Sequence, residues 1–237
     1  MLRHLIELRQ RALCVFILFA LLFFLFFFLT PNLFHSLMRP LLQALSIHDH
    51  LIATQITAPL FVSIKLASDA ALLCTAPFAL LQTWRFVVPG LYQHERFLLR
   101  WGMVGSVLLF FIGSLFCFYL VLPSMFQFFA HAVPDGVQLM PDMASAVDFI
   151  TRMLLIFGFC FQIPLVCLIL VRLQILDIAR LKMIRPYMIV TAFTLGMLLT
   201  PPDVLSQIML AVPLCLLYES GIFVAMLLQK RQDRRSP

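Results

Sequence analysis

Long apolar runs separated by short basic segments constrain this chain more than any other feature of it. The first run, Ala12 to Leu29, carries no charged residue. A bilayer core of about 30 Å takes roughly 20 helical residues. Backbone amides and carbonyls in lipid must be satisfied within the segment itself, so runs of this kind fold as helices. Hydrophobic residues make up 62% of the 237 and charged residues 12%, against about 45–50% apolar in soluble domains. The chain therefore reads as an integral membrane protein, a single membrane domain with no sizeable soluble part. Thr30, Pro31 and Asn32 follow the first run in place of a small-residue cleavage site, which makes it a retained span.

Sidedness comes from the cations. They gather at Arg3, Arg9 and Arg11; at Arg85, Arg96 and Arg100; at Arg172, Arg180, Lys182 and Arg185; and at Lys230, Arg231, Arg234 and Arg235. The positive-inside rule puts these four clusters, and both termini, in the cytoplasm. That requires an even number of spans. The expected fold is all-α and polytopic, with six transmembrane helices near residues 12–29, 63–83, 101–123, 147–171, 186–200 and 204–228, the fifth and sixth shorter. MLRHLIELRQR is amphipathic and is expected along the inner surface. Residues 30–62 are expected outside as short interfacial helices, and 124–146 as an outer loop. Lys65 can snorkel or pair with Asp69 one turn on. Pro77 is expected to kink the second span and Pro186 to open the fifth, while Gly102, Gly105 and Gly113 would let another helix approach.

The search for chemistry excludes several classes. The six cysteines lie in apolar runs and suggest neither a disulfide nor a metal framework. His48, Asp49 and His50 have no companion ligand cluster, and no nucleophile elbow, phosphate loop or HExxH pattern occurs, so neither enzyme nor cofactor is expected. The net charge of +6 is a topology signal and not a nucleic-acid footprint. Two acids stand out on the inner side: Glu95, amid Arg85, Arg96 and Arg100, and Glu7, flanked by Arg3 and Arg11 at helical spacing. Each is either a binding group or a member of ordinary surface pairs. Gln162 and Glu219 lie inside apolar runs, where a polar group either bonds a neighbouring helix or marks a solute path. A small-molecule permease and a purely structural scaffold thus remain open beside a receptor.

Two stretches read together resemble one family: HLIELRQR (His4 to Arg11) and PGLYQHER (Pro89 to Arg96). Both are similar to signatures of TatC. The likeness continues through IKLA (Ile64 to Ala67), PDMAS (Pro141 to Ser145), RPY (Arg185 to Tyr187) and GMLLTPPDVLSQ (Gly196 to Gln207), in one order along nearly the whole chain. The resemblance implies a bacterial inner-membrane receptor that binds twin-arginine signal peptides and exports folded proteins using the proton-motive force. It implies work with the single-span subunits TatA and TatB, in a complex holding several copies of the chain. It also implies site residues: Glu7, Glu95, Arg9, Phe86, His94 and Arg96 for the signal peptide; Met197, Thr200 and Gln207 for a partner subunit; and Pro40, Lys65 and Asp203 on the outer side. Many members carry glutamate where this chain has Gln162, so any role needing an ionised group there is replaced by hydrogen bonding.

Overall fold

The computed structural model describes residues 2–44, 51–87, 96–132, 140–173, 175–199 and 204–233. Among the described residues the chain is helical, with one isolated parallel bridge between Ile52 and Asp142. Six stretches are long and apolar enough to cross a membrane: Ile6–Phe28, Ala58–Arg85, Gly102–His131, Met143–Arg172, Ile178–Leu198 and Gln207–Leu228. The fifth and sixth are the shortest, at 21 and 22 residues, yet each still matches the roughly 20 residues that a bilayer needs. The chain forms two compact units, Met1–Leu155 and Ile156–Pro237.

The first unit begins with α1 (Leu2–Phe28). The basic amphipathic segment does not form a separate surface helix, as expected, but runs straight into the span, because no proline or glycine interrupts residues 2–28. Pro31 cannot donate to the Phe27 carbonyl, and the Thr30 hydroxyl takes that place at 2.8 Å. The chain then enters α2 (Thr30–Ala44), which buries Met38, Pro40 and Leu41. Next, α3 (Ala58–Val87) carries the second span with Pro77 inside it, so residues 58–62 belong to that span and not to an interfacial helix.

The third span extends past its expected end at residue 123. It is built from α4 (Arg96–Phe116), a π-helical stretch over Cys117–Val121, and α5 (Leu122–His131). Pro123 sits in the first turn of α5, where its missing amide costs least. The widened turn precedes it, with the Leu122 amide reaching back to the Cys117 carbonyl. Ser124 then bonds the Leu120 carbonyl at 2.7 Å. At Gly102 and Gly105 a Cβ would meet nothing within 4 Å, so neither glycine is a point of close helix approach.

A clip closes one end of this unit. The Ile52 amide bonds the Pro141 carbonyl at 3.1 Å, and the Met143 amide returns to the Ile52 carbonyl at 2.9 Å. Asp142 precedes α6 (Met143–Cys160). Its carboxylate accepts the Ser145 amide at 3.1 Å, as a helix cap does, and the Thr54 hydroxyl at 3.0 Å. The Ser145 amide first, then the Thr54 and Ser145 hydroxyls, hold the Asp142 carboxyl below the usual aspartate value of 3.8. A depressed folded pKa gives stability that is complete above 3.8 and lost as pH falls through the lower folded value. Exchange at the Ser145 and Met143 amides, relative to the intrinsic rate at each pH, is therefore expected to accelerate on acidification below that window in wild type. Asp142→Ala is expected to show the faster exchange already at neutral pH, with about 1 kcal/mol lost, the usual worth of a cap.

In the second unit the fourth span is broken. Pro164 cannot donate to the Cys160 carbonyl, and the helix yields at Phe161 and Gln162 before α7 (Ile163–Arg172). The Gln162 amide tightens onto the Phe159 carbonyl at 2.9 Å. Then α8 (Ile178–Leu199) starts eight residues before Pro186 and holds that proline inside it. The correction has a local cause: Ala179, Arg180, Leu181, Lys182 and Met183 favour helix, and the Leu181 amide bonds the Asp177 carbonyl at 3.1 Å to start it. The last helix, α9 (Val204–Asp233), packs on both α7 and α8. Cys167, Leu181, Tyr218 and Ile222 form its core, with the Tyr218 hydroxyl on the Leu181 carbonyl at 2.7 Å. Packing and such polar contacts, rather than the hydrophobic effect, hold helices together in lipid.

Candidate functional site

Two polar constellations occupy opposite ends of α3 in the first unit. At its C-terminal end, Arg11 contacts the Glu7 carboxylate one turn back on α1 and donates to the Gln82 carbonyl of α3 at 3.0 Å. The second bond matters for placement. It fixes the charged end of α1 beside the last turns of α3, which carry Phe86 and lead into the segment with His94 and Glu95. Below it, Leu8, Val15, Phe19, Leu72 and Ala79 line an apolar groove of about 450 Å³ between the two helices. Arg9 is exposed. Arg96 is the first residue of α4, while His94 and Glu95 lie outside the described residues.

The second constellation lies 17 residues earlier on α3, about 26 Å along the helix. Lys65 does not pair with Asp69, as helical spacing suggested. Its ammonium meets Asp148 of α6 at 2.7 Å, and Arg152 meets the other Asp148 oxygen at 2.7 Å. Asp69 instead accepts the Thr151 hydroxyl at 2.8 Å. Sequence reasoning missed Asp148, Thr151 and Arg152, although their i, i+3 and i+4 spacing inside an apolar run was a readable signal. Pro40, assigned to the same side, is buried in α2.

In the second unit Gln207 donates to the Phe193 carbonyl of α8 at 2.8 Å. A Cβ on Gly196 would stand 3.0 Å from the Gln207 Cγ, so the glycine admits this side chain. Met197, next to it, is exposed. Thr200 and Asp203 lie outside the described residues. Deeper along the pair, Arg185 and Glu219 meet at 2.8 Å, which pairs the intramembrane glutamate that sequence left open. Gln162 is buried, at the break before α7. Among the described residues no three His, Cys, Asp or Glu side chains gather as a metal site.

Fold and site together define an all-α, six-span membrane protein whose polar groups sit at helix ends and helix contacts. Comparison with known proteins narrows that class. Residues 3–213 match the family described as Sec-independent protein translocase protein (TatC). The TatC of Haemophilus influenzae is 40% identical over 230 residues, covering 97% of this chain and 90% of the relative. The TatC of Escherichia coli K12 is 40% identical over 220 residues, covering 93% and 85%. Among solved structures, the crystal structure of the twin-arginine translocase receptor TatC superposes with a TM-score of 0.85 at 32% identity, covering 94% of this chain and 98% of that one. The chain belongs to the TatC family. It is a multi-pass protein of the bacterial inner membrane and a protein-translocase component rather than an enzyme.

Proposed function

We propose that this chain is the signal-receptor subunit of a twin-arginine translocase, with both termini in the cytoplasm. The observation that carries the reading is the similarity along nearly the whole chain to a solved twin-arginine translocase receptor. Glu7 and Glu95 accept the two consecutive arginines of a signal peptide, with Arg9, Phe86, His94 and Arg96 around them. A guanidinium offers a planar fork that a carboxylate accepts through two parallel bonds. Arg11 already donates through one guanidinium nitrogen to Glu7, its other going to the Gln82 carbonyl, so it acts as an internal stand-in that a peptide arginine displaces. An exposed pair at this spacing is worth only about 0.3–0.5 kcal/mol, which keeps the exchange easy. The apolar part of the signal then lies against the membrane-buried flank of the same end.

Met197, Thr200 and Gln207 receive the single-span partners TatA and TatB, with exposed Met197 beside the anchored Gln207 supporting that assignment. Pro40, Lys65 and Asp203 serve on the outer side. Several copies assemble, and the proton-motive force drives folded cargo outward. The test is complementation: in bacteria lacking their own TatC but retaining the partner subunits, the chain is expected to restore export of a folded reporter bearing a twin-arginine signal. Failure to do so, with the protein present in the membrane, would overturn the reading. A permease would instead show solute flux in liposomes without partners.

A further inference from the structure

We infer that Asp69 is a proton-binding site, reached from the end of the first unit opposite Glu7. The argument begins with which groups are already taken. Lys65 and Arg152 are the cations near Asp69, and both are bonded to Asp148 at 2.7 Å. Asp69 thus shares its surroundings with two cations whose hydrogen bonds go elsewhere. Among the described residues its donor is the Thr151 hydroxyl, at 2.8 Å.

That hydroxyl has a single hydrogen and three acceptors: Asp69 Oδ2 at 2.8 Å, the Val147 carbonyl at 2.9 Å and the Asp148 carbonyl at 3.3 Å. With Asp69 ionised, the Thr151 hydrogen is shared between it and the Val147 back-bond, and a part-buried carboxylate able to accept several bonds has this one side-chain donor. With Asp69 protonated the arrangement closes. Its own hydrogen goes to Thr151 Oγ1, and the Thr151 hydrogen goes to the Val147 carbonyl, the usual back-bond of a helical threonine. Every group then has a partner.

The rest of the wall is nearly apolar. Asp69 lines a cavity of about 290 Å³ whose other sides include Phe26, Leu33, Leu37, Phe118 and Leu154, with the Ser36 hydroxyl of α2 as the further polar group on it. Thus α1, α2 and the π-helical stretch bring no charged group to it. On its own helix Cys74 lines the cavity and Lys65 lies one turn back; α6 brings Asp148, Thr151 and Arg152. Lys65 and Arg152 are 43% and 63% exposed, so the polar side of the network reaches the protein surface. Two cations and two carboxylates balance when Asp69 is ionised, and one positive charge is uncompensated when it is protonated. Proton uptake therefore changes the field at this contact between α3 and α6. In a translocase driven by a proton gradient, such a site would sense the gradient; that purpose rests on the function proposed above.

The test is infrared difference spectroscopy of the full chain in liposomes, titrated from about pH 4 to about pH 8, a range that brackets ordinary and perturbed carboxyls. Wild type is expected to show a protonated-carboxyl C=O band that Asp69→Asn removes and that Asp148→Asn moves to lower pH, because it frees Lys65 and Arg152 to favour the ionised Asp69. Thr151→Val keeps the carboxyl but removes its acceptor, and is expected to move that band to higher wavenumber. A titrating band unaffected by Asp69→Asn would overturn the proposal. Should that variant not fold, an unshifted band in Thr151→Val would overturn it equally. No signal peptide or partner takes part, so failure here is distinct from failure of the receptor reading.

Discussion

Replacing Glu7 and Glu95 together by alanine is expected to lower the affinity for a twin-arginine signal peptide by about thirtyfold. Hydrogen bonds to charged groups are worth about 1.5–3 kcal/mol when sheltered, but the Glu7 side chain is 39% exposed and must be discounted for screening. About 1.4 kcal/mol at Glu95 corresponds to a factor of ten. The two acids do not contribute alike. At Glu7 a peptide arginine replaces Arg11, so it gains only the difference between two similar contacts. Glu7→Ala alone is therefore expected to cost about threefold, and Arg11→Gln to strengthen binding about twofold, the worth of one exposed pair. A twin-lysine peptide keeps the charge but loses the fork, and is expected to bind about tenfold more weakly than twin-arginine. Fluorescence titration of labelled peptides against the purified protein in detergent reads all of these.

The second large effect is on stability. A Cβ at Gly221 would lie 2.9 Å from the Pro164 Cα and 3.2 Å from the Cys167 Cβ. The nearest atom is backbone, which a rotamer change cannot move. Gly221→Ala is expected to cost about 1–3 kcal/mol, the usual penalty of forced overpacking, and Gly221→Val more. In detergent this should lower the midpoint of thermal aggregation by about 5 °C for alanine. Adding Cys167→Ala is expected to return little of the loss, because it leaves the Pro164 contact in place. Recovery to wild-type stability by that second change would show that the Pro164 backbone contact is not the constraint.

Much of this was readable from local pattern, and the misses share a cause. The six spans follow from apolar length alone, and the Glu7–Arg11 pair follows from four-residue spacing on one helix. The same rule failed at Lys65. It offers Asp69 as the near partner, whereas Asp148, on a helix 83 residues away in sequence, takes the lysine. Pairing within a helix is visible in a sequence; pairing between helices is not. Glycines tell the same story: Gly102 and Gly105 look like contact points and face open space, while Gly221 sits against Pro164. Prolines mislead by position. Pro186 lies inside α8, Pro123 within the first turn of α5, and Pro164 follows a break in the fourth span. Each depends on which freed carbonyl finds another donor, and tertiary neighbours decide that. Gln162 was legible as an intramembrane amide, but its place at the break before α7 was not.

The receptor reading is tested most directly by a twin-arginine signal peptide carrying a photo-crosslinker beside its arginines, added to membranes containing the full chain. Crosslinks are expected to the start of α1 and to the segment around Glu95. They are expected to disappear with Glu95→Ala and with a twin-lysine peptide. Crosslinks that persist in both comparisons would contradict the account, leaving Glu95 a solvated loop acid and the arginine fork without a seat.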